Sequence, residues 1–185
     1  MIDLSKKVLP DSVTVSGRTY RIKTDFQYWI LFVTRLQGKE LKLLTDCDFL
    51  YDGEIPEDRQ KGFEALCAFA FPKRELPRPL GGGSAVPFDY TLDSDLIYAA
   101  FLEQYGIDLV NPSLSLHWHK FRALFDGLHS TKLNEVMGYR LFDENDRDDW
   151  KKSMTKLRDA WEIRREIPLT DEERKILDDF NSRLK

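Results

Sequence analysis

Apolar and polar residues alternate along Val13-Thr14-Val15 and again along Thr19-Tyr20-Arg21-Ile22, with Ser16-Gly17 between them. Period two on either side of a two-residue, Gly-containing turn predicts a β-hairpin. A lone hairpin is not stable in water, so it must lean on helices. The spacing then changes to a helical one. Thr24 and Gln27 form a capping-box pattern, and the following helix runs to about Gln37 and stops at Gly38. Its inner face reads Phe26, Trp29, Ile30 and Val33, with Tyr28, Leu31 and Phe32 on the other side. Two readings fit this second apolar side: a helix covered on both flanks, or an exposed patch for a partner.

Lys39 to Leu50 reads as a short helix, and Pro56 suits the first position of another that ends near Phe71. The core face of that helix is Phe63, Leu66, Cys67 and Ala70. Residues 72 to 87, PKRELPRPLGGGSAVP, hold too many Pro and Gly for regular structure and read as a loop or linker. The organisation expected is an N-terminal part over 1–76, a linker over 77–90 and a helical part over 91–185, together forming one domain.

The richest stretch is Phe88 to Arg140, which predicts three consecutive helices. The first starts near Leu92, capped by Thr91 or Asp93, with Asp93 and Asp95 in the first turn and Gly106 as left-handed C-cap. Its centre, LIYAAFL, is apolar on every side, which suits a helix central to a core. The second helix follows Asn111-Pro112-Ser113 and aligns Leu114, Trp118, Phe121, Phe125 and Leu128 on one face. Lys120, Arg122 and Asp126 then fall toward solvent. The third is capped by Ser130 or Thr131 and turns Leu133, Val136 and Met137 inward. Arg140 shares that side, either bonding carbonyls at the helix end or pairing with Asp93 or Asp95.

Beyond it, a helix from about Arg147 to Arg165 carries Trp150, Met154, Leu157 and Trp161 as a narrow seam. Thr170 and Glu173 open a last helix with Ile176, Leu177, Phe180 and Leu184. This closing pair packs on the core or against another chain. The whole pattern predicts a mainly α fold of about six to seven helices with a short N-terminal β-hairpin.

At 185 residues, with 42% hydrophobic and 32% charged residues, the chain has the composition of a soluble globular protein. A net charge of -4 argues against general nucleic-acid binding, which needs a basic excess. Met1 to Pro10 lacks the apolar core of a signal peptide, and no stretch reaches a membrane span, so the expected location is the cytoplasm. Cys47 and Cys67 form no metal pattern and read as reduced, small apolar residues.

No catalytic constellation emerges. His117 and His119 sit two apart, which on a helix points them about 160° from each other, so they do not converge on one metal ion. Gly81-Gly82-Gly83-Ser84 lacks the Lys of a phosphate loop. The acidic residues Asp143, Glu144, Asp146, Asp148 and Asp149 lack EF-hand spacing. No cofactor, metal or catalytic residue is expected.

Several segments nevertheless carry a resemblance. FDYTLDSDLIYAAFLEQYGIDL at 88–109, LHWHKFRALFDGL at 116–128, TKLNEVMGYR at 131–140 and the early TDFQYWILF at 24–32 resemble, in that order, the bacteriophage gene-product-fifteen family. His119 departs from the second aromatic expected after Trp118. The resemblance covers nearly the whole chain. It implies a non-enzymatic tail morphogenesis protein of long-tailed phages and prophages, working in the cytoplasm of the infected bacterium. It further implies a tail assembly chaperone for the tape-measure protein, the tail tube protein or both. A chaperone of a long helical chain needs apolar grooves rather than a reaction centre, and gains from avidity, so self-association is expected. The large apolar positions Tyr28, Leu31, Phe32, Trp150 and Trp161 are the candidate partner-binding residues; neither nucleic acid nor membrane is expected as a partner. The alternative is a permanent minor virion component such as a tail or head-tail connector protein.

Overall fold

The computed structural model describes residues 2–38, 44–72, 86–142 and 151–163. Among them the chain is mainly helical: a hairpin of β1 (Ser12–Val15) and β2 (Arg18–Arg21) precedes six α-helices and one 3₁₀ helix. The hairpin pairs Val15 with Arg18 and Val13 with Tyr20 across Ser16-Gly17. Both turn residues have positive φ, 49° and 83°, the geometry that matches the natural twist of the strands. Val13 and Val15 face inward and pack the hairpin against the helices.

Helix α1 (Phe26–Gln37) is capped by Asp25, not Thr24: Asp25 Oδ1 accepts the Gln27 N–H at 3.2 Å. Thr24 is otherwise engaged, its carbonyl accepting the Trp118 N–H at 2.7 Å. The inner face also differs from the expected one. Phe26, Trp29, Phe32 and Val33 are buried, while Ile30 is half-buried. Phe32 belongs to the core because the chain covers two flanks of α1. Phe26 stacks on Phe121 of α4 at 4.9 Å, and Phe32 meets Phe63 of α2 edge-on at 6.2 Å.

The expected helix after Gly38 is a 3₁₀ helix over Leu44–Leu50; residues 39–43 lie outside the described ones. Helix α2 (Arg59–Ala70) begins three residues after Pro56, because Asp58 accepts the Lys61 N–H at 3.1 Å and supplies the cap. It buries Gly62, Leu66, Phe69 and Ala70, with Phe63 and Cys67 half-buried. Gly62 has a packing reason. A Cβ there would meet the Tyr51 hydroxyl at 2.9 Å and Pro56 Cγ at 3.2 Å. Residues 73–85, most of the expected linker, lie outside the described ones.

Helix α3 (Ser94–Tyr105) ends at Gly106 with φ 65°, the left-handed cap read from the sequence. It is not covered all round: Ile97, Ala100 and Phe101 are buried, but Leu102 is 44% exposed. The apolar run therefore does not describe a central helix. Helix α4 (Trp118–Asp126) buries Trp118, Phe121 and Phe125, followed by Leu128. Arg122 is not solvent-facing; it donates to the Ala70 carbonyl at 2.7 Å and lies over the Phe71 and Trp118 rings. Helix α5 (Lys132–Arg140) is capped by Thr131 in a reciprocal box with Asn134. Helix α6 (Lys151–Trp161) packs on α5. The predicted last helix from Thr170 and the residue Trp150 lie outside the described residues.

One core draws Trp29, Leu66 and Phe69 from before residues 73–85 and Phe101, Trp118 and Phe121 from after them. Aromatic rings dominate it. Trp118 lies between Trp29 at 6.4 Å and Phe121 at 5.8 Å, and Phe121 stacks on Phe101 at 5.1 Å. Each buried Trp finds a carbonyl for its ring N–H, Lys23 for Trp29 and Ala70 for Trp118. Their polar handles are thus satisfied inside an apolar region.

Candidate functional site

Two arrangements position the surfaces of this fold. The first joins the starts of α1 and α4. Asp25 and His117 face each other as an isolated antiparallel bridge, and Phe26 N–H donates to the Leu116 carbonyl at 2.9 Å. Asp25 caps α1 with Oδ1 and accepts the Leu116 N–H with Oδ2 at 3.2 Å. His117 is the cap of α4. Its Nδ1 accepts the His119 N–H at 3.0 Å, which requires an unprotonated nitrogen, so Nε2 carries the proton and donates to the Pro10 carbonyl at 2.9 Å. Burial lowers the His117 pKa, and a positive charge at this helix N-terminus would also oppose the dipole.

His119 lies deeper, 4% exposed. Its Nε2–H donates to the Phe69 carbonyl at 3.0 Å and its ring stacks on Phe69 at 4.4 Å. The imidazole thus fills the place of an aromatic ring. Burial pushes its pKa down to about 4, opposed by the Phe69 carbonyl. The two histidines turn their Nε2 atoms to backbone carbonyls. Among the described residues no group of His, Cys, Asp and Glu is arranged to hold a metal ion.

This has a consequence for acid stability. Both histidines bind protons less readily folded than unfolded, so stability is full above the ordinary pKa of about 6.5 and falls as pH drops toward 4. For His119 the loss approaches about 3 kcal/mol. Denaturant titrations should show a clear decline between pH 6.5 and 5, and His119→Phe should flatten that decline. An equal slope in the variant would assign the effect elsewhere.

The second arrangement is a hub at Arg140. Of the two sequence alternatives, a buried ion pair or bonds to carbonyls, the structure has both. Arg140 and Asp93 form a two-pronged pair, Nη1–Oδ2 at 2.7 Å and Nη2–Oδ1 at 2.8 Å, with side chains 7% and 3% exposed. Nη1 also donates to the Pro87 carbonyl at 3.1 Å and Nε to the Trp161 carbonyl at 2.6 Å. Asp93 Oδ2 accepts the Asp89 N–H at 2.9 Å as well. With its carboxylate so engaged, Asp93 stands at the N-cap of α3 without making a cap bond. Asp89 in turn accepts the N–H groups of Thr91 and Leu92. The network fixes the chain entering α3 and holds Phe88 against Phe125 at 4.7 Å. Above it opens a groove of about 370 Å³, walled by Leu92, Leu96, Ala160, Trp161 and Ile163 and edged by Asp95 and Glu162.

The expected partner-binding residues are separated by the fold. Tyr28 and Leu31 stand on the outer face of α1, 40% and 41% exposed, with Lys23 Nζ 5.0 Å from the Tyr28 ring centre. Phe32 is fully buried and is not part of a surface patch. Trp161 is half-buried in the groove wall; Trp150 lies outside the described residues. Sequence reasoning missed the groove, since its walls come from α3 and the end of α6. The pairing of Asp93 with Arg140 was the only signal of it.

The profile of the bacteriophage Gp15 protein family matches residues 5–163. The chain belongs to that family. The match runs through the hairpin, the aromatic core and both halves of the Arg140 hub, and stops at the end of α6. No match was found to a curated protein or to a solved structure. Gp15 membership points to a phage structural or morphogenesis protein. No helix among the described residues is long and apolar enough to cross a membrane.

Proposed function

We propose that this Gp15-family chain is a non-enzymatic tail morphogenesis protein, a tail assembly chaperone for the tape-measure protein, the tail tube protein or both. It acts in the cytoplasm of the host bacterium, without a cofactor, and self-associates along its long partner. The observation that carries this reading is the family match over residues 5–163; the tail-assembly role is what the resemblance to that family implies. The surface chemistry supports it. Tyr28 and Leu31 stand one helical turn apart, exposed and apolar, beside the cation of Lys23. Such a patch suits an amphipathic helix, which lays apolar residues of helical spacing into a complementary surface. Trp161 and the apolar groove walls offer a second surface of the same kind.

The test is co-expression with the tape-measure and tail tube proteins of the same phage, with solubility and co-purification as readouts. A chaperone keeps the partner soluble and is absent from finished particles. Its presence in purified virions without co-purification would replace this reading with a permanent minor tail or connector component. The residues are tested separately. Tyr28→Ala with Leu31→Ser should weaken partner retention about tenfold, as loss of an interface aromatic does. The melting temperature should barely move, because exposed substitutions cost within about 0.5 kcal/mol. Full retention by this variant would move the contact away from α1.

A further inference from the structure

Helix α6 is held differently from the others. From Ser153 to Trp161 its side chains are half-buried or exposed and none is fully buried. By contrast α1, α3, α4 and α5 each bury at least one large apolar side chain in the core. The seam of α6, Met154, Leu157 and Trp161, is only half covered. What secures its C-terminal end is the bond from Arg140 Nε to the Trp161 carbonyl at 2.6 Å. A cation at that position completes the unsatisfied last carbonyls of a helix and complements its dipole. The same guanidinium spends its two other nitrogens on Asp93 and Pro87. Those partners hold Arg140 in place whether or not α6 is there. Beside the bond lies the apolar groove between the start of α3 and the end of α6.

We propose that α6 is a strap latched by Arg140, which lifts from α5 as one unit while the hairpin and helices α1 to α5 stay folded. Release separates Trp161 and Ala160 from Leu92 and Leu96, opening the groove and uncovering the face of α5 that α6 covers. The Asp93–Arg140 pair survives release, because only the Nε–H is freed, and it turns to water. The strap is therefore reversible: the latch remains set to receive the Trp161 carbonyl again. Elements with few buried apolar contacts open below the free energy of global unfolding, and α6 is the described helix with the fewest buried side chains.

Hydrogen exchange of the full-length chain, resolved by segment, tests this. In the wild type, α6 amides should exchange at least roughly tenfold faster than those of α1 and α4. Two variants separate latch from seam. Arg140→Lys keeps a positive charge for Asp93 but loses the Nε–H that reaches the Trp161 carbonyl, and Leu157→Ser weakens the seam without touching the hub. Leu157→Ser should accelerate α6 exchange several-fold further while α1 and α4 keep their wild-type protection, and Arg140→Lys, which also loosens the two-pronged Asp93 pair, should accelerate α6 more than α1 and α4. Protection of α6 equal to that of α1 and α4, or a fall in all helices together in both variants, would overturn the proposal.

Discussion

Asp93→Ala should destabilise the protein by about 3–5 kcal/mol, the typical cost of leaving one member of a buried ion pair alone. The guanidinium of Arg140 would keep the Pro87 and Trp161 carbonyls but lose its anionic partner among the described residues, in a position 7% exposed. Arg140→Leu should cost a similar amount, since it strands the Asp93 carboxylate and both carbonyls. The double variant Asp93→Ala with Arg140→Leu should cost clearly less than the two single changes added. It removes both charges at once, leaving only neutral groups such as the Asp89 N–H to find water. Equilibrium denaturation of the four proteins gives the coupling directly. Additive costs would mean that the two charges are solvated independently and that the hub is not the fastening of α3 to α5. Because whole domains are stable by only about 5–15 kcal/mol, either single variant should also show a visibly lowered yield of folded protein.

Trp118→Ala is the second change with a large expected effect, about 3–5 kcal/mol, and roughly 10 °C or more in melting temperature. The indole is 1% exposed and lies between Trp29 and Phe121. Its removal empties the centre of the aromatic core, where neighbours on α1, α2 and α4 are themselves held by other contacts and collapse only in part. Trp118→Phe should be much milder. It keeps a ring between Trp29 and Phe121, and the Ala70 carbonyl keeps its bond from Arg122 Nη1. If the alanine variant melted like the wild type yet lost partner binding, Trp118 would be an interface residue. Its burial leads to the opposite expectation: any loss of binding should follow loss of fold.

Short-range chemistry was legible in the sequence wherever one residue type answers one local need. Ser16-Gly17 predicts a tight hairpin and Gly106 a left-handed helix end, and both have the required positive φ. Of the expected face Leu114, Trp118, Phe121, Phe125 and Leu128, the middle three form the buried side of α4, Leu128 is buried just beyond its end, and Leu114 precedes the helix and is half-buried. The family segments, the mainly α class and the N-terminal hairpin were likewise readable before any coordinates. What periodicity cannot supply is the number of neighbours a helix has. Phe32 and Ile30 lie on opposite edges of the same stripe of α1, and only the docking of α2 decides that Phe32 goes inside. The apolar run of α3 suggested a helix covered on all sides, yet Leu102 is exposed because no described element covers that side.

The sequence by itself determined the hairpin, the mainly α class, the buried face of α4 and the identity of Arg140 as an inward-facing cation. Only the tertiary structure decided which partner it takes: Asp93 rather than Asp95, together with the Pro87 and Trp161 carbonyls. The same holds for His117, whose role as cap of α4 rests on an Nε2 partner at Pro10 that comes from far along the chain. Local backbone preferences act over three or four residues and leave their mark in short patterns. Buried charges and polar rings must instead satisfy every donor and acceptor at once, and the groups that do so are brought together only when the helices pack.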